Sequence, residues 1–174
     1  FSPNNIKCIG VIGTGMQARM QITYLPENIK CKKIKVWGRS DKSVDLYIKE
    51  MTSLGWMLDR VNNTDEIAST CDLIITTTPS KKPLLTNKLL KKGTHINAIG
   101  SDSPEKNELE KGVLKSADLI VADSIPQCME RGEISHAIIN KVIEKGDVQE
   151  LGNLIRENGT YNCKDNQLSV ADLT

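Results

Sequence analysis

The chain has 174 residues, 23 of them Lys or Arg and 22 Asp or Glu, so its formal charge is +1 with both histidines neutral. That length is one domain, or one and a fragment, and with 39% hydrophobic and 26% charged residues the composition excludes disorder, collagen and coiled coil. The balanced charge lacks the basic surplus that a phosphate polymer or anionic membrane attracts, so no nucleic acid and no membrane are expected as partners.

In chain order, the apolar run from Ile6 to Ile12 predicts a strand, followed by a helix from Met16 to Leu25 that Pro26 stops. A second strand, Lys33 to Trp37, leads into a helix from Asp41 to Leu54, stopped by Gly55. A short helix from Thr64 to Thr70 then precedes two strands, Asp72 to Thr76 and Thr94 to Ile99, and a helix from Glu108 to Ser116 precedes a strand from Asp118 to Ala122. Further on, Ser135 to Lys145 and Val148 to Glu157 read as helices with Gly146 and Gly159 as stops, and Gln167 to Val170 as a weak strand. At the end, Ser169 or Asp172 could cap a helix that the chain does not contain. With Phe1 at the start, both ends look cut, and a piece of a longer protein is expected, a processed N-terminus being the alternative.

Strand and helix alternate, and parallel neighbours need crossover connections. The expected fold is therefore a Rossmann-type doubly wound α/β domain, a mostly parallel sheet with helices on both faces. No stretch approaches the roughly 18 apolar residues that cross a bilayer, and no signal-peptide layout is present, so a cytoplasmic location is expected. Cys8, Cys31, Cys71, Cys128 and Cys163 stand far apart with no C-x-x-C pair, which predicts reduced structural thiols and no metal site.

The chemistry lies in Ile9 to Ala18, where a strand runs into G-x-G-x-x-A at a helix start. Gly13 permits the tight turn, Gly15 has no side chain to block a pyrophosphate, and small Ala18 lets the helix pack on the strand. The amides of Thr14, Met16 and Gln17 complete the loop and the first helical turn, whose N–H groups and partial positive charge suit phosphate. A glycine turn made for steric reasons alone is the plain alternative.

About 20 positions further on, at the end of the second strand, a dinucleotide fold meets the adenosine ribose. An NAD-type site would place a carboxylate there; this chain has Gly38, Arg39 and Ser40. Arg39 offers planar donors and charge, and Ser40 a hydroxyl, to a 2′-phosphate, which favours NADP(H) over NAD(H). Alternatively Arg39 is a solvated surface residue and Ser40 or Asp41 caps the next helix, and Asp41 could still reach a ribose hydroxyl.

Four blocks in order resemble the ornithine cyclodeaminase and mu-crystallin family: Gly13 to Ala18 with Arg19, Cys71 to Pro79, Gly93 to Asp102, and Ala117-Asp118 through Gly132-Glu133. The resemblance covers nearly the whole chain. It implies a dinucleotide-binding domain spanning residues 1–174, with the substrate and dimerisation domain of a homodimer lying outside it. It further implies that Asp102 acts as acid or base at the substrate amino group, that Thr76, Thr77 and Thr78 pass under the nicotinamide ribose, and that Ile99 presses on the nicotinamide ring. Read alone, Asp102 is a loop aspartate before Pro104, the threonines a polar turn and Ile99 a core residue.

The activity implied first is ornithine cyclodeamination, ornithine to proline plus ammonia by internal hydride transfer. An NADP-dependent imine or ketimine reductase, an alanine dehydrogenase, and a mu-crystallin-like NADPH-dependent binding protein without catalysis are the alternatives. An isolated piece is expected to bind dinucleotide without turnover. His95, inside a strand, reads as a satisfied structural histidine, and Lys81 and Lys82 as a solvated loop.

Overall fold

Strands buried on both faces must be largely apolar, and Ile9–Ile12, Leu73–Thr76 and Leu119–Ala122 are buried at every position. In the computed structural model, which describes residues 1–158 and 166–173, β1 (Ile9–Ile12) is buried at every position and is followed by α1 (Met16–Thr23). Then come β2 (Lys33–Trp37), α2 (Asp41–Ser53), β3 (Met57–Arg60), α3 (Thr64–Thr70), β4 (Leu73–Thr76) and β5 (His95–Ala98). The remainder is α4 (Lys111–Lys115), β6 (Leu119–Ala122), α5 (Ile125–Glu130), α6 (Gly132–Ile139), β7 (Val148–Glu150), α7 (Leu151–Asn158) and β8 (Ser169–Asp172).

All neighbouring strands pair parallel, in the order β3-β2-β1-β4-β5-β8-β6-β7. Side chains alternate across the sheet. Ile9, Val11, Leu73 and Ile75 pack under α1 and α2 with Ala18, Ile22, Val44, Tyr47 and Met51. Ile12, Ile74, Ile96, Ile120 and Val170 face the opposite way, toward Ile67, Val113, Leu114 and Ile134 of α3, α4 and α6. This is the doubly wound sheet the alternation predicts. From β1 the chain winds outward to β2 and β3, then crosses back to β4. A crevice therefore opens beyond the carboxyl ends of β1 and β4, where such sheets bind ligands.

Several expectations fail. β8 is no weak strand: it is buried at all four positions and lies inside the sheet between β5 and β6. Its polar residues find distant partners instead of capping a missing helix. Asp172 accepts the N–H of Ile134 in the first turn of α6 at 2.9 Å, and Ser169 Oγ lies 2.8 Å from Nδ1 of His95. The span from Val148 to Glu157 is not one helix, because Val148–Glu150 pairs with β6 before α7 begins. The helix expected to reach Lys145 ends at Ile139; Lys141 takes φ 56°, and Lys145–Asp147 forms a single 3₁₀ turn. β3 and α5 were not expected at all, and the helix placed at Glu108 starts only at Lys111. Gly159 and Cys163 lie outside the described residues. Among the described residues, no helix is long and apolar enough to cross a membrane.

Candidate functional site

The turn after β1 has the geometry that its glycines permit. Gly13 sits at φ 114°, and a Cβ there would come within 2.6 Å of Thr77 Oγ1. Its N–H is tied to the Trp37 carbonyl at 2.9 Å. Gly15 differs: a Cβ on it would meet nothing within 4 Å. That open space belongs to a cleft of ≈ 270 Å³.

Arg19 fixes the loop from behind. Its Nη1 donates to the carbonyls of Thr14 at 2.6 Å and Gly15 at 3.0 Å, while Nε donates to Glu50 at 2.8 Å and the guanidinium stacks over Tyr47. The loop carbonyls are thus occupied, whereas the first amides of α1 have no acceptor within the helix. Among the described residues no side chain caps that end, and no acid sits in its first turn. The result is a positive helix terminus with its donors free, opening on a cavity.

At the end of β2, Gly38 lets α2 close in, since a Cβ there would lie 2.9 Å from Val44 Cγ2. Arg39 is exposed and makes no ion pair or side-chain hydrogen bond among the described residues. Ser40 stands at the N-cap of α2, but its side chain makes no capping bond. The carboxylate of Asp41 is drawn to Arg60 at 3.2 Å, and Asp45 also pairs with Arg60. Both carboxylates of this corner are therefore drawn to Arg60 of β3, and among the described residues neither pairs with Arg39.

Below the far end of the cleft lie two acids that the sequence reading did not single out. Glu108, fully buried, accepts from the Thr78 N–H at 2.6 Å, Thr78 Oγ1 at 2.7 Å, Thr76 Oγ1 at 2.8 Å and the Gly100 N–H at 2.9 Å. It thereby ties the end of β4 to the end of β5. Glu133, also buried, accepts from the N–H groups of Glu108 and Leu109 at 2.7 and 2.9 Å, from Asn107 Nδ2 at 2.6 Å and from Ser101 Oγ. Burial raises both carboxyls, Glu108 to about 7, against the pull of these donors. No local pattern marks either residue, because the donors come from separate segments of the chain.

The structure brings Gly13, Thr14, Gly15, Gly38, Arg39, Ser40, Thr77 and Thr78 around the one cleft, with Trp37, Ser43, Pro79, Ser80 and Leu84 added to those singled out as site residues. The others are placed apart from its lining. Met16 and Gln17 are exposed on α1, while Ala18 is buried against the sheet. Thr76 lies beneath, on Glu108. Ile99 is half-buried against the core under α1 and α2. Asp102 stands on the loop after β5 with its side chain 65% exposed, paired with Lys106.

His95 is the structural histidine expected, with Nδ1 and Nε2 each 2.8 Å from Ser169 and Asn97, and burial lowers its pKa to about 3.

Comparison with known proteins gives consistent matches. The model of the ornithine cyclodeaminase/mu-crystallin family matches residues 1–170. An alanine dehydrogenase from Archaeoglobus fulgidus is 33% identical over 171 residues, which is 98% of this chain and 52% of that protein. Among solved structures, an archaeal alanine dehydrogenase dimer with bound NAD aligns with a TM-score of 0.91 at 31% identity, over 100% of this chain and 54% of that one. The iminosuccinate reductase of Paracoccus denitrificans in complex with NAD+ aligns with a TM-score of 0.86 at 27% identity, over 100% and 53%. The chain spans about half the length of the curated relatives it matches.

Proposed function

Because the chain belongs to the ornithine cyclodeaminase/mu-crystallin family, we propose that it is the nicotinamide-dinucleotide-binding part of an enzyme that moves a hydride at a carbon bonded to nitrogen. The observation that supports this best is the empty approach to Gly15: a cleft at the sheet's switch point, floored by glycine and faced by an uncapped helix N-terminus. The residues present fit a dinucleotide. Gly13 makes the turn, the amides from Thr14 to Gln17 take the pyrophosphate, and Ala18 packs α1 close. Arg39 and Ser40, beside Gly38, take a 2′-phosphate and set a preference for NADP(H) over NAD(H). Thr76, Thr77 and Thr78 pass under the nicotinamide ribose and Ile99 lies against the ring. When bound, the nicotinamide accepts and returns the hydride.

In the ornithine version, loss of hydride from the α-carbon gives an imine that the terminal amine attacks. Ammonia leaves, and the cyclic imine is reduced to proline. Asp102 holds and releases the α-amino proton, which its exposed position on the carboxyl side of the sheet permits once substrate is present. The substrate's carboxylate anchors and the contacts of a homodimer are assigned to parts of the protein outside this chain, in a cytoplasmic enzyme.

A second reading is favoured by Arg39, which has no ion-pair partner among the described residues. NADP(H) suits net reduction better than internal recycling, so an imine reductase or alanine dehydrogenase fits that residue. A binding protein without turnover fits less well, since it has no need of Asp102. The test uses the whole protein that contains this chain. Ammonia release from ornithine supports the cyclodeaminase; NADPH oxidation with a cyclic imine, or with pyruvate and ammonia, supports the reductase. Failure of all three supports a binder.

A further inference from the structure

The dinucleotide site uses the carboxyl ends of the strands. At the opposite end of β1 and β4 stand two thiols that play no part in it. Cys8 directly precedes β1 and Cys71 closes α3 just before β4, and pairing of those strands brings the two sulfurs to 3.5 Å. The Asp72 N–H donates to the Cys8 carbonyl at 2.9 Å, so the ladder already holds the two backbones side by side. Cys71 is fully buried, its sulfur 3.2 Å from where a Cβ on Gly10 would lie, whereas Cys8 is only half-buried. One thiol is thus open to a reagent, with a second waiting behind it.

The environment divides their roles. The Cys71 thiol donates to the Cys8 sulfur, and Lys35 on β2 adds positive charge, so the Cys8 thiol is held below its usual range despite burial and the nearby Asp72 carboxylate. The same hydrogen bond, with burial, pushes Cys71 up. The remaining described cysteines lack this arrangement. Cys31 donates to the Lys33 carbonyl at 3.6 Å and burial raises its thiol, while Cys128 is buried and lies 3.6 Å from the Asp172 carbonyl.

We propose that Cys8 and Cys71 form a dithiol site that a hydroperoxide oxidises to an intramolecular disulfide. The Cys8 thiolate attacks the terminal peroxide oxygen; the O–O bond breaks, an S–O bond forms, and the departing oxygen takes a proton. Cys71 then attacks the resulting sulfenic sulfur, giving up its proton as the S–O bond breaks and water leaves. Two thiols are oxidised by two electrons, and the hydroperoxide is reduced to water plus water or alcohol. The bond closes a covalent ring around β1, α1, β2, α2, β3 and α3, the half of the sheet that carries Gly13, Gly15 and Arg39. It lies about 16 Å from Gly13 by strand rise, so the proposal stands or falls apart from the dinucleotide reading.

The test treats the folded chain with one equivalent of hydrogen peroxide, quenches by alkylation, and reads intact mass and peptides. The expected product has lost two hydrogens, carries a Cys8–Cys71 linked peptide and is restored by dithiothreitol. Cys8→Ser abolishes the product, and Cys71→Ser leaves a sulfenic acid at Cys8 that dimedone traps. Because either variant could perturb folding, limiting iodoacetamide on the parent chain gives an independent readout, with Cys8 labelled ahead of Cys31. A bridge to any other cysteine, oxidation of Cys8 past sulfenic acid with Cys71 still free, or Cys31 labelled first overturns the proposal.

Discussion

The carboxylate of Glu133 accepts the backbone N–H of Glu108 at 2.7 Å, so the two buried acids beneath the cleft act in series. Glu133 sets where Glu108 enters, and Glu108 joins the end of β4 to the end of β5. The positions of Thr78 and of the loop carrying Asp102 follow from that pair rather than from the strands alone, while Thr77 is held by the Ile12 carbonyl of β1 at 2.9 Å.

Glu108→Gln replaces one acceptor oxygen with a donor. It then faces the N–H of Thr78 or of Gly100, neither of which can accept. The expected cost is about 1–3 kcal/mol of stability in urea unfolding. The Glu108 carboxyl is raised from 4.5 to about 7 in the folded state. A folded value above the unfolded one means that this group's contribution is full below about 4.5 and is lost as pH rises through about 7. The gap between parent and variant should therefore narrow over that window, and a widening gap contradicts the assignment.

Gly13→Ala should destabilise the fold. The position requires φ 114° and has Thr77 Oγ1 within 2.6 Å of the new methyl. A cost of about 1–3 kcal/mol is expected from denaturant melts, and a variant as stable as the parent would show that the turn is not held as described.

Arg39→Ala tests the nucleotide preference. With its guanidinium unpaired among the described residues, Arg39 can bind a 2′-phosphate, and charge-assisted bonds of about 1.5–3 kcal/mol correspond to roughly 10- to 100-fold in affinity. Calorimetry should show NADPH binding more tightly than NADH to the parent, with the gap largely closed in the variant. Equal affinities in the parent count against the preference.

Asp102→Asn, made in the whole protein, should lower turnover by about 100-fold or more and leave dinucleotide affinity unchanged. Its side chain is exposed and among the described residues bonds only to Lys106, so folding should be spared. Turnover retained at the parent rate removes the assigned role.

The first half of the fold is legible because its signals are local: four buried residues in β1, a stop at Pro26, a stop at Gly55. β2 and α3 match their expected spans. β3 escapes because it is a sheet edge of largely exposed residues, with Met57 56% exposed, and carries no apolar run. β8 is underrated for the opposite reason. Ser169 and Asp172 are polar yet buried, satisfied by groups 74 and 38 residues away. The glycine-rich cleft is readable since backbone sterics act within a few residues. Glu108 and Glu133 are not, because a buried acid is recognisable only once its donors have been brought together.

The most direct measurement is a titration of the chain with NADPH and NADH, followed by intrinsic fluorescence or calorimetry, in the parent and in Gly15→Val. The new side chain enters open space, so the variant should fold normally. The account predicts saturable one-site binding to the parent and its loss in the variant. A parent that binds neither nucleotide, or a folded variant that binds as tightly as the parent, contradicts it.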